Sequence, residues 1–354
     1  MSAEDSTTGV AVAEDLPPEI AARIKRRGGA ATIYDIAELA GVNPSTVSRA
    51  LSVPGRVSEK TEKKIRLAAE RLDFQFNPMA RALPTGRSQT LGLLVADITN
   101  PVIFGIVRGA EHAAAAAGYT LVIAESQESG EAEAQAISRI LPSVDGLILA
   151  TTRLADERIC ALAARKPMVL INRHVDGVAA VLPDVETGVD ALMAHLAALG
   201  HVSVVFLSGP ETSWISRRRW ESILDAAERL EVGVVEIGPH SPTIEGGRES
   251  LRRVIAARAT AVVAFNDLMA IGLMQAAAAA GLVVPDALSV AGFDDIFGSE
   301  LVVPPLTTVQ AQLEVAGERA VEKVLAELDD VTGTVDDSTL ATALVVRGST
   351  GPAA

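Results

Sequence analysis

Residues 32–51 read TIYDIAELAGVNPSTVSRAL. Thr32, with Asp35 three places on, has the form of a capping box, so a helix opens there. Ile33, Ile36, Ala37 and Ala40 give that helix one apolar face. Gly41 permits a left-handed turn. Asn43 is a good N-cap and Pro44 a good first helical residue, so a second helix follows, with Val47, Ala50 and Leu51 turned inward. Two short helices joined in this way form a helix-turn-helix, whose second helix sets its N-terminal residues into the major groove of DNA. Pro44, Ser45 and Arg49 fall on its outward face. Arg49 is able to donate two hydrogen bonds to guanine, and Ser45, Thr46 and Ser48 suit phosphates or base edges. The plainer alternative is a small helical bundle with an exposed arginine, against which the turn glycine, the cap and the basic flanks all count.

Working outward, Ser58 caps a third helix to about Leu72, with Ile65, Ala68, Ala69 and Leu72 inward. From Gln75 to Gln89 runs a linker in which Asn77-Pro78 is placed to cap a short helix ending near Leu83-Pro84. Met79 and Leu83 are too little apolar surface to hold that helix alone, so it needs something to pack on. Upstream, residues 1–21 carry five acids, no Lys or Arg, and no apolar run of the kind a secretory leader needs. We expect residues 1–30 to form a flexible tail, acidic through its first two-thirds. From Ala22 to Thr90 there are 13 Lys and Arg against 6 Asp and Glu, whereas 91–354 carries 18 against 34. A small basic module is thus joined to a large acidic body, which reconciles a net charge of −14 with a polyanionic partner.

The chain of 354 residues is long enough for two or three domains. From Leu91 onward strand-like runs alternate with helical ones: Leu91–Ala96, Thr120–Ala124, Gly146–Ala150, Met168–Ile171, Val202–Leu207, Ala261–Phe265 and Leu288–Phe293. Helical stretches at 103–117, 187–198, 216–230 and 268–280 lie between them, and another is expected at 310–328. Such βαβ alternation implies parallel sheets covered on both faces, and its length implies two α/β lobes. No apolar run reaches membrane-spanning length, so no membrane partner is expected. The single cysteine, Cys160, rules out a disulfide framework and a thiolate zinc site, and a cytoplasmic location follows.

Polar residues recur just past the carboxyl ends of the strands: Asp97, Asn172, Arg173, Asn266 and Asp294. Open parallel sheets bind ligands at that edge. Arg219 stands early in the helix after the strand ending at Leu207. For Asp97 and Asp295, capping is as good a reading as contact; for Arg219 and Asp294 contact is preferred. The phosphate, dinucleotide and nucleophile-elbow motifs are absent. The five histidines (His112, His174, His195, His201, His240) lack metal-ligand spacing, and His201 suits a structural hydrogen bond. Binding without catalysis, and without a cofactor, is the reading.

The helix-turn-helix, then GRVSEKT (55–61), FNPMARAL (76–83), LGLLVADITNP (91–101), FNDLMAIG (265–272), VAGFDDI (290–296) and PPLTTVQ (304–310) together resemble the LacI/GalR, or lactose-repressor-type, family of transcription factors. The resemblance covers about residues 31–347. It implies a helix-turn-helix domain (31–75), a hinge helix and linker (76–90), and a two-lobed periplasmic-binding-protein-like body of type I (91–350). It implies a homodimer on a palindromic operator, with a small polar effector between the lobes. DNA contacts would come from Thr32, Tyr34, Asn43, Pro44, Ser45, Thr46, Ser48 and Arg49. In the hinge, Asn77 and Ala80 would join Leu83, the wedge at the central step of the minor groove. The effector would meet Asn172, Arg219, Asn266 and Asp294.

This chain departs from the pattern where many relatives have two aromatics after the Asn-Pro of the first pocket loop. Val102 and Ile103 stand there, with Phe104 one place later, and Asn172 replaces an aspartate. Trp214 is the better substitute stacking platform, since Trp220 suits the core equally. A sugar-like effector is favoured, with a nucleoside, another metabolite or no small ligand as alternatives. A solute-binding protein would need an export signal and would lack residues 31–83, and an enzyme would need a catalytic motif.

Overall fold

The computed structural model describes residues 16–52, 56–74, 87–329 and 338–354. These fall into two compact units dividing at Ser88.

In the first unit, α1 (Pro18–Arg26), α2 (Ile33–Ala40), α3 (Pro44–Ser52) and α4 (Glu59–Arg71) surround one small core. Ile36, Ala37, Val47, Ala50, Ile65, Ala68 and Leu72 fill it, as the apolar spacing required. Gly41 takes a φ of 68°, and the turn from α2 to α3 closes through Val42 N–H on Ala37 O at 2.9 Å. The Ser58 side chain caps α4, accepting the Thr61 N–H.

The expectation of a flexible tail through residue 30 is corrected. α1 occupies 18–26, with Pro18 at its first turn, and buries Ile20 and Ile24 in the same core. Two apolar residues four apart were too weak a sequence signal for a helix of nine residues, which tertiary packing stabilises. Residues 1–15 lie outside the described residues.

The second unit holds two six-stranded sheets. The strands are β1 (Thr90–Val95), β2 (Thr120–Glu125), β3 (Gly146–Ala150), β4 (Met168–Ile171), β5 (Ala179–Pro183), β6 (Ser203–Leu207), β7 (Gly233–Ile237), β8 (Ala261–Ala264), β9 (Ser289–Asp294), β10 (Thr307–Gln310), β11 (Ser338–Leu340) and β12 (Ala343–Val345). The first sheet runs β11-β5-β4-β3-β1-β2, all parallel. The second runs β12-β10-β9-β8-β6-β7, parallel except for β12.

The first sheet is covered by α5 (Val102–Ala116), α6 (Gly130–Ile140), α7 (Asp156–Ala163) and α12 (Leu313–Leu328). The second is covered by α8 (Val185–Ala198), α9 (Trp214–Leu230), α10 (Ile244–Ala257) and α11 (Asp267–Ala279). The central strands β3, β4, β6, β8 and β9 are almost wholly buried, which is why they read as unbroken apolar runs.

Among the described residues the chain passes between the lobes three times, at 183–185, 310–313 and 340–343. The helix expected from 310 starts only at Leu313, because Thr307–Gln310 pairs with β9 as β10 and the next two residues form a crossover. α5 and α12 lie so close that a Cβ on Gly109 would stand 1.9 Å from Glu314 O, and one on Gly317 2.1 Å from Ile106 O. Among the described residues no helix is long and apolar enough to cross a membrane.

Candidate functional site

The outward face of α3 is built by the burial of its inward one. With Val47 and Ala50 in the core, Asn43, Ser45 and Arg49 are exposed, and Pro44, Thr46 and Ser48 are half-buried beside them. Arg49 Nε donates to Ser45 O at 3.1 Å, which lays the guanidinium along the first turn of the helix. Tyr34 is exposed on α2.

Thr32 is tied inward: its N–H and hydroxyl both donate to Asp35 Oδ2, at 2.8 and 2.6 Å. Asp35 is fully buried and is also met by Arg23 Nε at 2.8 Å and Arg27 Nη1 at 2.9 Å, arginines supplied by α1 and its end. Burial alone would raise this carboxyl. The Thr32 hydroxyl, Arg23, the Thr32 N–H and Arg27 outweigh it and hold the pKa below the usual aspartate value. Asn77, Ala80 and Leu83 lie outside the described residues.

In the second unit the carboxyl ends of the two sheets face one another across a cleft. Asp97, Asn100, Ile103, Glu128, Thr151, Arg153 and Asn172 line it from the first lobe. Ile215, Arg219, Pro242, Phe265, Asn266 and Asp294 line it from the second. Its free volume is about 40 Å³, room for a few water molecules, so the lobes are closed on one another.

Arg219 is the centre of the second-lobe wall. Its Nη2 donates to Asp294 Oδ1 at 2.9 Å, its Nη1 donates to Phe265 O, and its guanidinium lies 4.2 Å from the Phe293 ring centre and 5.2 Å from that of Phe265. Asn266 caps α11, accepting the Met269 N–H at 2.9 Å and donating to Pro242 O at 3.0 Å. It is therefore a fixed part of the wall. Asp97 likewise spends Oδ1 on a turn, accepting the Thr99 N–H and hydroxyl at 2.8 and 2.6 Å.

The backbone is strained around this cleft. Gln127, Glu128, Thr151, Asn172, Asp294 and Asp295 all have positive φ, between 51° and 104°, at the ends of β2, β3, β4 and β9. Left-handed backbone costs non-glycine residues energy, most of all a β-branched one such as Thr151, and such strain gathers where side chains are aimed for a purpose.

Three expected contacts are corrected. Arg173 is buried away from the cleft, paired with Asp156 at the start of α7. Arg153 takes the place in the wall, its side chain 4% exposed, with Nε on Glu128 at 2.8 Å and Nη1 on Thr151 O at 2.8 Å. Phe104 points to a separate groove with Arg108, Phe297 and Leu313, since α5 turns its second residue, Ile103, toward the cleft. Trp214 packs on the apolar core, and the neighbouring Ile215 lines the cleft. Trp220 is a core residue, stacked on Phe206 at 5.8 Å.

The sequence reading missed Glu128, Thr151 and Arg153. Their signal was present in position: they follow β2 and β3 as Asn172 follows β4. Among the described residues no cluster of three or more potential metal ligands occurs. His201 is structural, bonding Thr260 Oγ1 through Nδ1 at 2.8 Å and lying 3.1 Å from both Ser289 Oγ and Gly351 O through Nε2.

Comparison with known proteins places both units. Residues 32–77 match the model of bacterial regulatory proteins of the lacI family, and 193–350 that of the periplasmic binding protein-like domain. The chain is 31% identical to the HTH-type transcriptional regulator DegA of Bacillus subtilis, over 81% of this chain and 88% of that one. It is 30% identical to the ribose operon repressor of Escherichia coli, over 90% and 99%.

Among solved structures, the lac repressor dimer bound to operator and an anti-inducer aligns with a TM-score of 0.82 and 27% identity, covering 91% of this chain and 99% of that one. A ribose-bound regulator from Enterococcus faecium aligns with a TM-score of 0.67 and 25% identity, covering 75% of this chain and all of that one.

Proposed function

The chain belongs to the lacI family of bacterial regulatory proteins, as a ligand-responsive DNA-binding repressor, and on that premise we propose how its residues divide the work. A homodimer reads a palindromic operator. Arg49 makes the base contact, Ser45, Thr46 and Ser48 add base-edge or phosphate bonds, and Thr32, Tyr34, Asn43 and Pro44 position the helix on the backbone. In the hinge, Leu83 is the minor-groove wedge, flanked by Asn77 and Ala80. The molecule works in the bacterial cytoplasm, on the nucleoid when bound to its operator.

The cleft takes the effector. Arg219–Asp294 on one wall, with Asp97, Asn172 and Arg153–Glu128 opposite, offer both donors and acceptors, which suits a hydroxyl-rich solute. Both arginines already hold carboxylates, so no free cation awaits a phosphate. Phe265 is the aromatic in the wall, and Phe104 supplies no second platform, which favours a small neutral sugar over a flat base. The ribose-bound relative and the ribose operon repressor make ribose the first sugar to try. Most polar groups of the cleft are committed to ion pairs, caps and turns, which suits a site that binds rather than one that catalyses.

The observation that carries this reading is the closed cleft, with a buried arginine–aspartate pair on one wall and strained polar residues on the other, in a chain that also bears an exposed recognition helix. Two measurements test it. Selection from a randomised duplex library returns a palindromic site; an unenriched pool would remove the operator reading. Thermal unfolding against sugars, sugar phosphates and nucleosides shows a shift with a neutral sugar, since ligand at about 100 times its Kd stabilises by about 2.7 kcal/mol. A shift with sugar phosphates alone would overturn the choice of ligand.

A further inference from the structure

Asp267 opens α11 one residue after the cleft residue Asn266 and is fully buried. Its two oxygens gather donors from three places. The Thr308 hydroxyl on β10 reaches Oδ1 at 2.6 Å, and the Ser299 hydroxyl and the Ile296 N–H reach Oδ2 at 2.6 and 3.0 Å. A Cβ on Gly292 would stand 2.3 Å from Oδ1, so β9 leaves room for the carboxylate to reach across it. None of the donors is a cation.

Of the charged groups on the elements around it, Asp294 is paired with Arg219. Asp295 and Glu300 are held by Arg347, and Glu245 and Arg248 on α10 pair with one another. Burial first, then the charge of Asp294, push the Asp267 carboxyl up to about 7, against the pull of its three hydrogen bonds. The turn it holds leads into an apolar arm that faces solvent, with Phe297 73%, Leu301 68% and Val303 94% exposed.

We propose that Asp267 is a positioning residue that ties the state of Asp294 in the cleft to the hold on the turn Ile296–Glu300 and the arm beyond it. The proposal rests on the cleft being the effector site. A carboxylate grips an N–H more strongly than a carboxylic acid does. Whatever donates to Asp294 and draws off its charge lets Asp267 ionise, and the ionised group tightens on Ile296. A contact in the cleft thereby becomes a change of firmness at the arm.

Hydrogen exchange at residues 296–301 of the full chain, corrected for the intrinsic pH dependence of exchange, tests this from mildly acidic to mildly alkaline pH. Protection of the Ile296 amide rises with pH about a midpoint near 7. Asp267→Asn abolishes the step. Asp294→Asn lowers the midpoint by removing a repelling charge, and Ser299→Ala raises it by removing a bond to the carboxylate. A residue with a merely structural part would destabilise on mutation without moving a midpoint in two opposite directions. A step that persists in Asp267→Asn overturns the proposal. So does a midpoint unmoved in Ser299→Ala, the variant that decides the matter if Asp294→Asn does not fold. These variants need no ligand, so the result stands apart from the effector reading, which ribose, added to the wild-type chain and read by thermal unfolding, judges separately.

Discussion

Arg49 and Arg219 are the same side chain put to opposite uses. Arg49 is exposed and, among the described residues, tethered only through Nε, so the part in recognition proposed for it is separable from folding. Arg49→Ala therefore costs about 1–3 kcal/mol of discrimination between operator and random DNA and keeps the salt-dependent background binding. Equal loss on both DNAs, in a titration at fixed salt, would show a phosphate contact instead.

Arg219 is buried with Asp294, side chains 7% and 10% exposed. Removing one member of such a pair strands the other, so Arg219→Ala destabilises by about 3–5 kcal/mol in urea unfolding. Loss of the effector response accompanies it, and a loss under about 1 kcal/mol would mean that Asp294 finds another partner.

Asp35 behaves as a paired acid. Its folded pKa is below the unfolded one, so its stabilisation is complete above about pH 4 and is lost as acid protonates it in the folded state. Asp35→Asn flattens that acid limb of the stability curve while the rest of the chain keeps its own. Arg219, Asn266 and Asp294 were legible because the strand-end rule needs only position along the chain. The exchange of Arg173 for Arg153 was not, because which way a side chain leaves a loop is set by strained backbone that composition does not reveal.

At the scale of elements, helices with long apolar faces and strands buried on both sides declared themselves. The elements missed include β5 and β7, five residues each, and others whose stability is borrowed. α1 has two buried residues of its own, and β11 and β12 have three residues each, so propensity and periodicity had too few positions to act on. β10 was hidden at the mouth of an apparent helix.

The pair α5–α12 shows what one missing methyl group permits. Gly317 sits over the backbone of α5, and alanine, though the better helix former by about 1 kcal/mol, has no room there. Gly317→Ala should therefore lower the thermal midpoint despite its helical propensity, by an amount in the range of overpacked cores, about 1–3 kcal/mol. A raised midpoint would mean that the two helices slide apart without cost. Because α12 follows directly on a crossover, the same substitution is expected to disturb the closed arrangement of the lobes and so to weaken the effector response as well as stability.

For the molecule as a whole, the division into a basic reader and an acidic two-lobed body was written in charge and in the alternation of strands and helices. Its closure was not, because how near two walls come depends on contacts between residues far apart in sequence. The three crossovers make the lobes neighbours that share one chain. They also set an order of manufacture. The first sheet begins at Thr90 but is not complete until Ser338–Leu340, and the second, begun at Ser203, waits for Ala343–Val345. Neither lobe is therefore a finished object while the ribosome is still translating the other, although domains with contiguous sequence fold as units during synthesis. Each sheet therefore keeps an unpaired edge until its late strand, Ser338–Leu340 in the one and Ala343–Val345 in the other, has been made.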